Sequence, residues 1–95
     1  MKTSIVIPTY NEAENLPALL EALRRQGPEL HILIVDDNSP DGTADIAAAY
    51  QKTHGPIDIM RRAGKLGLGT AYVQGFQRIL ATTDSELIVQ MDADL

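Results

Sequence analysis

The chain has 95 residues, 44% of them hydrophobic, with a formal net charge of −5 at pH 7 and no cysteine. Its length fits one small α/β domain, and no apolar run approaches the roughly 18 residues that a membrane span requires. The acidic balance argues against a general nucleic-acid-binding protein, which needs a basic face. Without cysteine there are no disulfides or thiolate metal ligands, and the five strand-like residues before Pro8 are too few for a secretory leader.

Four short apolar or β-branched runs predict strands, and segments of helical periodicity alternate with them. The predicted strands are Ser4–Ile7, His31–Val35, Ile57–Arg61 and Leu87–Met91. Because a helix of sufficient length follows each of the first three strands, the βαβαβαβ order predicts an α/β fold with a mostly parallel sheet and right-handed crossovers. We expect residues 1–95 to form a single domain.

The first predicted helix has one apolar stripe, at Leu16, Leu19, Leu20 and Leu23. Its start has two interpretations. Asn11 and Glu14 resemble a capping box. Pro17, however, would remove a hydrogen bond from a helix that began there, which favours a start near Leu16 with Asn15 as the cap.

The other two helices are predicted from similar patterns. The second runs from about Thr43 to Lys52 and should bury Ile46, Ala47 and Tyr50. The third follows Gly67-Leu68-Gly69 and should place its larger apolar residues against the sheet, namely Ala71, Tyr72, Phe76, Ile79 and Leu80.

Acidic residues gather where the predicted strands end. In a parallel sheet the ligand crevice lies beyond the carboxyl ends of the strands. Carboxylates follow three of the four strands, in the segments 8–12, 36–43 and 92–94, and Arg62 and Lys65 follow the remaining one. Like charges on one edge repel each other unless a cation or hydrogen-bond donors compensate them, which favours a functional site. Four other acidic residues are expected only to cap helices or solvate loops: Glu14, Asp45, Asp58 and Asp84. For Asp41 both interpretations are open.

Asp92-Ala93-Asp94 comes directly after an apolar run that is predicted to form a buried strand. Two carboxylates one residue apart can turn toward a common divalent cation and leave coordination sites for diphosphate oxygens. Such a tripeptide also occurs by chance, but its position predicts that Asp92 and Asp94 bind Mg²⁺ or Mn²⁺.

The other strand-end segments suit a nucleotide. A carboxylate of Asp36 or Asp37 can accept hydrogen bonds from the imide N–H of uracil or from N1–H and the N2 amine of guanine. Alternatively, one of the two caps the following turn, and Asp37 is then favoured as the ligand-facing residue. Tyr10 can lie along the base or ribose, with Pro8 fixing the backbone and Glu12 reaching a hydroxyl, or it is only a partly exposed loop aromatic.

A glycine-rich segment, Gly64 to Thr70, leads into the third helix, whose amide dipoles favour anions. Its spacing fits neither a Walker loop nor G-x-G-x-x-G, and a flexible turn is the alternative. The two histidines, His31 and His54, are expected to be structural. Ser4 and Ser39 have no evident base in the correct order for a nucleophilic triad.

Four segments together resemble one family over essentially the whole chain: Ile7 to Glu12, Val35 to Thr43, Gly64 to Tyr72 and Met91 to Leu95. They are similar to family 2 glycosyltransferases of the dolichyl- and polyprenyl-phosphate mannose synthase type. The resemblance implies the Rossmann-like half of a GT-A fold. It also implies that the nucleotide sugar is bound by Pro8, Tyr10, Glu12, Val35, Asp37 and Ala93, and that Asp92 and Asp94 hold Mg²⁺ or Mn²⁺ on the diphosphate. Asp36, Arg62 and Lys65 are further candidates for binding the nucleotide sugar.

The activity implied by the resemblance is transfer of mannose from GDP-mannose to a polyprenyl phosphate at the cytoplasmic face of a membrane, with inversion. UDP-glucose is the alternative donor, and a receiver-type Mg²⁺-binding signalling domain or a non-catalytic nucleotide-binding module are alternatives of other classes. Acceptor-binding residues are expected after Leu95, so we expect the chain alone to lack turnover. We also expect an exposed sheet edge through which the chain can self-associate.

Overall fold

The computed structural model describes residues 2–63 and 68–93, except for the side chain of Leu68. Seven elements alternate along the chain: β1 (Thr3–Thr9), α1 (Leu16–Gln26), β2 (His31–Asp36), α2 (Thr43–Gln51), β3 (Ile57–Arg61), α3 (Leu68–Thr82) and β4 (Leu87–Gln90). The predicted βαβαβαβ order is confirmed, and boundaries differ from prediction by no more than two residues. Two predicted site residues, Lys65 and Asp94, lie outside the described residues.

The four strands form one parallel sheet in the order β3-β2-β1-β4. Thr9 is the register partner of Asp36, and Asp36 is that of Arg61, so three neighbouring strands end at the same level. Receiver-type domains place β1 between β2 and β3, whereas here β2 lies between β1 and β3. This strand order excludes the receiver-type alternative.

The sheet is covered on both faces. Alternate residues of the two central strands point to opposite sides, as strand geometry requires. Ile5 and Ile7 pack with the α1 leucines, whereas Val6 packs with Ala71 and Ile79 of α3. The result is a three-layer arrangement, and burial on both faces explains why β1 and β2 are almost continuously apolar.

The start of α1 follows the second of the two predicted alternatives. Asn15 occupies the N-cap position, and Pro17 lies in the first turn, where its missing N–H costs no helical hydrogen bond. Asn11 has a left-handed backbone (φ 57°) and lies outside the helix. The predicted leucine stripe is confirmed, with all four leucines buried. None of the described helices is long and apolar enough to cross a membrane.

The inner face of α3 differs from prediction at one residue. Ala71 and Ile79 are buried as predicted, but Leu80 is 70% exposed, so its assignment to the core was wrong. The contact line passes instead through Gly75, which lies between Ala71 and Ile79 at helical spacing. A Cβ on Gly75 would lie 2.5 Å from Cγ1 of Val6, so α3 approaches β1 too closely for any side chain there.

We therefore expect Gly75→Ala to destabilise the fold by about 1–3 kcal/mol, through overpacking between α3 and β1. The matched control is Gly69→Ala in the first turn of the same helix, where an added Cβ meets nothing within 4 Å. The control should be neutral or slightly stabilising, because alanine favours helix. Urea unfolding midpoints check both, and equal stability of Gly75→Ala and wild type would contradict the packing argument.

Candidate functional site

The carboxyl edge of the sheet brings together the loops that follow all four strands. The Asp37 amide donates to the Thr9 carbonyl at 3.1 Å, and the Arg62 amide donates to the Asp36 carbonyl at 2.8 Å. On the other side of β1, the Met91 amide donates to the Val6 carbonyl at 3.0 Å. The predicted site residues on these loops therefore start from one edge.

Asp36 is a structural residue of this edge. It is only 2% exposed and its carboxylate accepts three hydrogen bonds, from Thr9 Oγ1 (2.6 Å), the Ser39 amide (2.9 Å) and Ser39 Oγ (2.7 Å). These contacts fix the turn after β2 and tie it to β1. The sequence allowed either residue of the Asp36–Asp37 pair to cap the following turn or to face the ligand. In the structure, Asp36 caps the turn.

Asp37 forms a buried ion pair with Arg62. Arg62 Nε donates to Asp37 Oδ1 at 2.5 Å and Nη2 donates to Oδ2 at 2.8 Å, a bidentate geometry that holds both groups rigidly. The two side chains are 9% and 4% exposed. Two residues predicted to bind the nucleotide sugar are thus in contact with each other.

Arg62 also connects this pair to α3. Its Nη1 donates to Thr70 Oγ1 at 2.9 Å and to Gln74 Oε1 at 3.3 Å. Thr70 and Gln74 are four residues apart, so they lie on one side of the helix. The ends of β2 and β3 and the first two turns of α3 are therefore held by one guanidinium group.

The loop after β1 is held by its backbone amides, which donate to side chains just before and at the start of α2. Three successive amides, of Asn11, Glu12 and Ala13, donate to Ser39 Oγ (2.9 Å), Thr43 Oγ1 (3.0 Å) and Asp41 Oδ2 (3.1 Å). The sequence interpretation did not foresee that Ser39 and Thr43 support this loop. The signal available for them is their type, because short hydroxyl side chains commonly accept hydrogen bonds from loop amides.

Asp41 belongs to this support and not to a metal site among the described residues. Its carboxylate accepts hydrogen bonds from the Thr43 hydroxyl and amide at the start of α2, in addition to the Ala13 amide. The hydrogen bond from the Thr43 side chain holds the pKa of Asp41 below its ordinary value, and the two amides add to this effect. Of its two open interpretations, the structure supports helix entry.

Tyr10 and Glu12 remain accessible on the loop after β1. Tyr10 lies at the carboxyl edge and is 38% exposed. Glu12 is half-buried, and its Oε2 accepts a hydrogen bond from Asn15 Nδ2 at 3.1 Å. Both side chains are therefore placed where a nucleotide lying over the edge could contact them.

Other predicted site residues are less accessible. Val35 has no exposed surface and packs in the core under α3, so its side chain offers no atom to a nucleotide here. Ala93 is 3% exposed, and Pro8 is half-buried. Val35 and Ala93 belong to the two apolar clusters on either side of the sheet.

Asp92 is exposed and contacts α3. The Tyr72 hydroxyl donates to Asp92 Oδ1 at 3.0 Å. Burial, followed by this hydrogen bond and the charge of Asp92, raises the pKa of Tyr72 above its ordinary value. A carboxylate with one oxygen oriented in this way suits a hard divalent cation. Within residues 2–63 and 68–93, no three side chains converge on a metal site, and the second predicted ligand, Asp94, is not among them.

A polar cluster at the opposite edge joins the strands. Ser4 Oγ lies 3.0 Å from His31 Nδ1, and His31 Nε2 lies 2.8 Å from Asp58 Oδ2. Ser4 therefore lies beside a histidine, a contact that the sequence interpretation did not foresee. Ser4 has no exposed surface, however, so it cannot meet a substrate, and the predicted structural role of His31 is supported. A groove of about 660 Å³ opens near this cluster, away from the acidic edge.

Residues 4–95 match the family model for glycosyl transferase family 2, and the chain belongs to that family. It is 44% identical over 94 residues to a polyprenol monophosphomannose synthase of Mycolicibacterium smegmatis, covering 98% of this chain and 35% of the relative. It is also 44% identical to an undecaprenyl-phosphate mannosyltransferase of Micrococcus luteus, covering 99% and 38%. The chain thus spans a little over a third of the length of these relatives.

Solved structures share the fold. A mannosyltransferase from Pyrobaculum calidifontis, in complex with GDP-Man and Mn²⁺, superposes with a TM-score of 0.86 at 24% identity, over 98% of this chain and 27% of that one. TarS from S. aureus, in complex with UDP, gives 0.84 at 26% identity, over 99% and 28%. The GT-A fold expected from the sequence is confirmed.

The contacts of Asp41 predict a pH dependence of stability. Because its pKa is lower in the folded chain than in the unfolded one, ionised Asp41 stabilises the fold above about pH 4, and this contribution is lost as pH falls through the lowered value. We expect Asp41→Asn to lower the urea midpoint at pH 7, with the difference from wild type shrinking below about pH 4.

Glu14→Gln is the matched control for Asp41→Asn, because it removes one charge from an exposed position of the neighbouring loop. It should leave the midpoint unchanged at both pH values. If the urea midpoint of Asp41→Asn were below that of wild type by the same amount at neutral and acidic pH, the charge of the carboxylate would not be what holds the loop.

Proposed function

We propose that this chain is the donor-binding part of a metal-dependent, inverting glycosyltransferase that transfers mannose from GDP-mannose to a polyprenyl phosphate. The observation that carries the proposal is the carboxyl edge, where Tyr10, Asp37 and Asp92 leave three strands of one parallel sheet. It is supported by 44% identity to two mannosyltransferases named for polyprenol or undecaprenyl phosphate.

The residues at the edge divide into two groups in this proposal. Asp37, Tyr10 and Glu12 bind the nucleoside. The Asp37 carboxylate accepts hydrogen bonds from the N–H groups of the base, and Tyr10 lies along the base or ribose. Asp92 and Asp94 hold Mg²⁺ or Mn²⁺, which would neutralise the diphosphate as it leaves. Lys65 and the glycine-rich segment Gly64 to Thr70 are proposed to bind the anionic diphosphate.

The acceptor explains why no strong base is needed at this edge. A polyprenyl phosphate already carries an anionic oxygen that can attack the anomeric carbon of mannose. A single in-line displacement then forms the new C–O bond, breaks the bond to the diphosphate and inverts the anomeric centre. The residues of this chain bind and orient the donor, so the 95-residue chain alone is proposed to bind donor without turning it over.

The proposed partners are a nucleotide-sugar donor and a lipid phosphate at the cytoplasmic face of a membrane, and no nucleic acid. Self-association through the sheet edge is also part of the proposal. β4 has only four residues, pairs with β1 on one side and carries Leu87, which is 46% exposed. An accessible strand edge of this kind is a template for pairing with another copy.

Isothermal titration of the chain tests the proposal directly. GDP-mannose, UDP-glucose and acetyl phosphate are each titrated with and without Mn²⁺. We expect Mn²⁺-dependent binding of GDP-mannose, weaker binding of UDP-glucose and no binding of acetyl phosphate. If UDP-glucose bound more tightly than GDP-mannose, UDP-glucose would be the donor. The absence of any nucleotide-sugar binding would refute the proposed function. Turnover of GDP-mannose would refute the claim that the chain is inactive alone.

The same titration identifies the metal ligands. Asp94→Ala should abolish the Mn²⁺-dependent part of GDP-mannose binding, because one of two proposed carboxylate ligands is lost. The residual, metal-independent affinity for GDP should remain. Asp84→Ala, which removes an exposed carboxylate that pairs with Lys2, is the matched control and should bind Mn²⁺ and donor as wild type does. Unchanged Mn²⁺ dependence in Asp94→Ala would remove Asp94 from the proposal.

The contact between Tyr72 and Asp92 gives a separate prediction. Tyr72→Phe removes the hydroxyl that orients Asp92 Oδ1, and we expect Mn²⁺ affinity in the presence of GDP to fall by about 2- to 10-fold, the size of one hydrogen bond. Tyr50→Phe on α2 is the control and should have no effect. Mn²⁺ affinity that is equal in Tyr72→Phe and wild type would show that Asp92 needs no orientation by α3.

A further inference from the structure

We propose that Arg62 is a positioning residue that orients Asp37 for recognition of the nucleotide base and does not itself bind the diphosphate. This inference rests on the proposed function, since it assigns the base-recognition step to a particular ion pair. The sequence grouped Arg62 with Lys65, because both are basic residues that follow β3. The inference gives Arg62 a different role from that of Lys65.

The guanidinium of Arg62 is already engaged on all three nitrogens. Nε and Nη2 donate to the two oxygens of Asp37, and Nη1 donates to Thr70 and Gln74. Its side chain is only 4% exposed. To reach a diphosphate, the group would have to break these contacts and leave the Asp37 carboxylate buried and unpaired, which is strongly unfavourable.

The same contacts determine how Asp37 can meet a base. A carboxylate has about four acceptor directions on its two oxygens, and the Arg62 pair occupies one on each. The bidentate contact fixes the plane of the carboxylate, so the remaining acceptor directions are fixed as well. Because the N–H groups of guanine and uracil differ in number and direction, a carboxylate held in one plane can distinguish them better than one free to rotate.

The far side of Arg62 adds a second constraint. Thr70 and Gln74 on α3 hold Nη1, so the guanidinium cannot rotate without disturbing the first two turns of that helix. Asp37 is therefore held by a residue that is itself held from two elements, β3 and α3. A planar, bidentate group is needed for this arrangement, and lysine with its single ammonium cannot reproduce it.

The test compares Arg62→Lys with Arg61→Lys. Arg61 is the adjacent residue, but its side chain is 56% exposed and pairs with Asp45, which makes it the matched control. Affinities are measured for GDP, UDP and inorganic pyrophosphate, all with Mg²⁺. We expect Arg62→Lys to reduce the ratio of the affinities for GDP and UDP about 10-fold, the size of one charge-assisted hydrogen bond. The affinity for pyrophosphate should stay within about 2-fold of wild type.

Two results would overturn the inference: a fall in pyrophosphate affinity as large as that for GDP, which would make Arg62 a diphosphate ligand, or an unchanged affinity ratio. Arg61→Lys should leave all three affinities as in wild type. A merely structural role would lower every affinity together and would not narrow the ratio between bases.

A measurement on the unsubstituted chain covers the case in which Arg62→Lys does not fold. The ¹⁵N–¹H signal of Arg62 Nε is followed while guanosine or Mg²⁺-pyrophosphate is added. Guanosine should shift this signal through Asp37, and pyrophosphate should not; the reverse pattern overturns the inference. Binding of GDP without any shift would overturn the positioning role alone. Failure of the chain to bind GDP, UDP and pyrophosphate alike would refute the proposed function itself.

Discussion

Parallel pairing of the four strands is the constraint on which the candidate site depends. β1 lies between β2 and β4, and β2 lies between β1 and β3, so every loop that follows a strand starts at one edge. That pairing needs both faces of the sheet covered, which the leucines of α1 and the inner face of α3 provide. The apolar core thus gathers polar residues that are far apart in sequence.

Gathering carboxylates at one edge creates repulsion, and the structure shows how the protein compensates most of it. Asp36 accepts from hydroxyls and an amide, Asp41 from the start of α2 and the loop after β1, and Asp37 from Arg62. Asp92 differs from these three carboxylates in the number of donors, because within the described part of the chain it accepts one hydrogen bond, from the Tyr72 hydroxyl. The argument for a cation therefore applies to the end of β4 and not to the whole acidic edge.

The fold could be predicted from the sequence because it follows from local patterns. Alternation of strands and helices, the leucine stripe of α1 and the choice of Asn15 as its cap all depend on residues within one or two turns of each other. Leu80 was assigned wrongly because periodicity does not show where a helix lies against a sheet. The glycine at position 75 was the available signal, since a glycine in a helix interior often marks a close approach.

The candidate site was less predictable, because its contacts join distant residues. The sequence identified the acidic and basic residues at strand ends but not that Arg62 pairs with Asp37, which lies 25 positions away. The register of β2 against β3, with Asp36 opposite Arg61, places the next residue of each strand side by side. That register follows from the pairing of whole strands, so composition and spacing alone did not reveal it.

Helix α3 links the two halves of the site to the core. Its residues Thr70 and Gln74 hold Arg62 beside the proposed base-binding carboxylate, and Tyr72 donates to Asp92, a proposed metal ligand. The distance of this helix from the sheet is set by Gly75 against Val6. A change in that packing would therefore move the supports of both carboxylates together, because the same two helical turns carry them. Close packing on one face of β1 thus determines the arrangement of polar groups at its end.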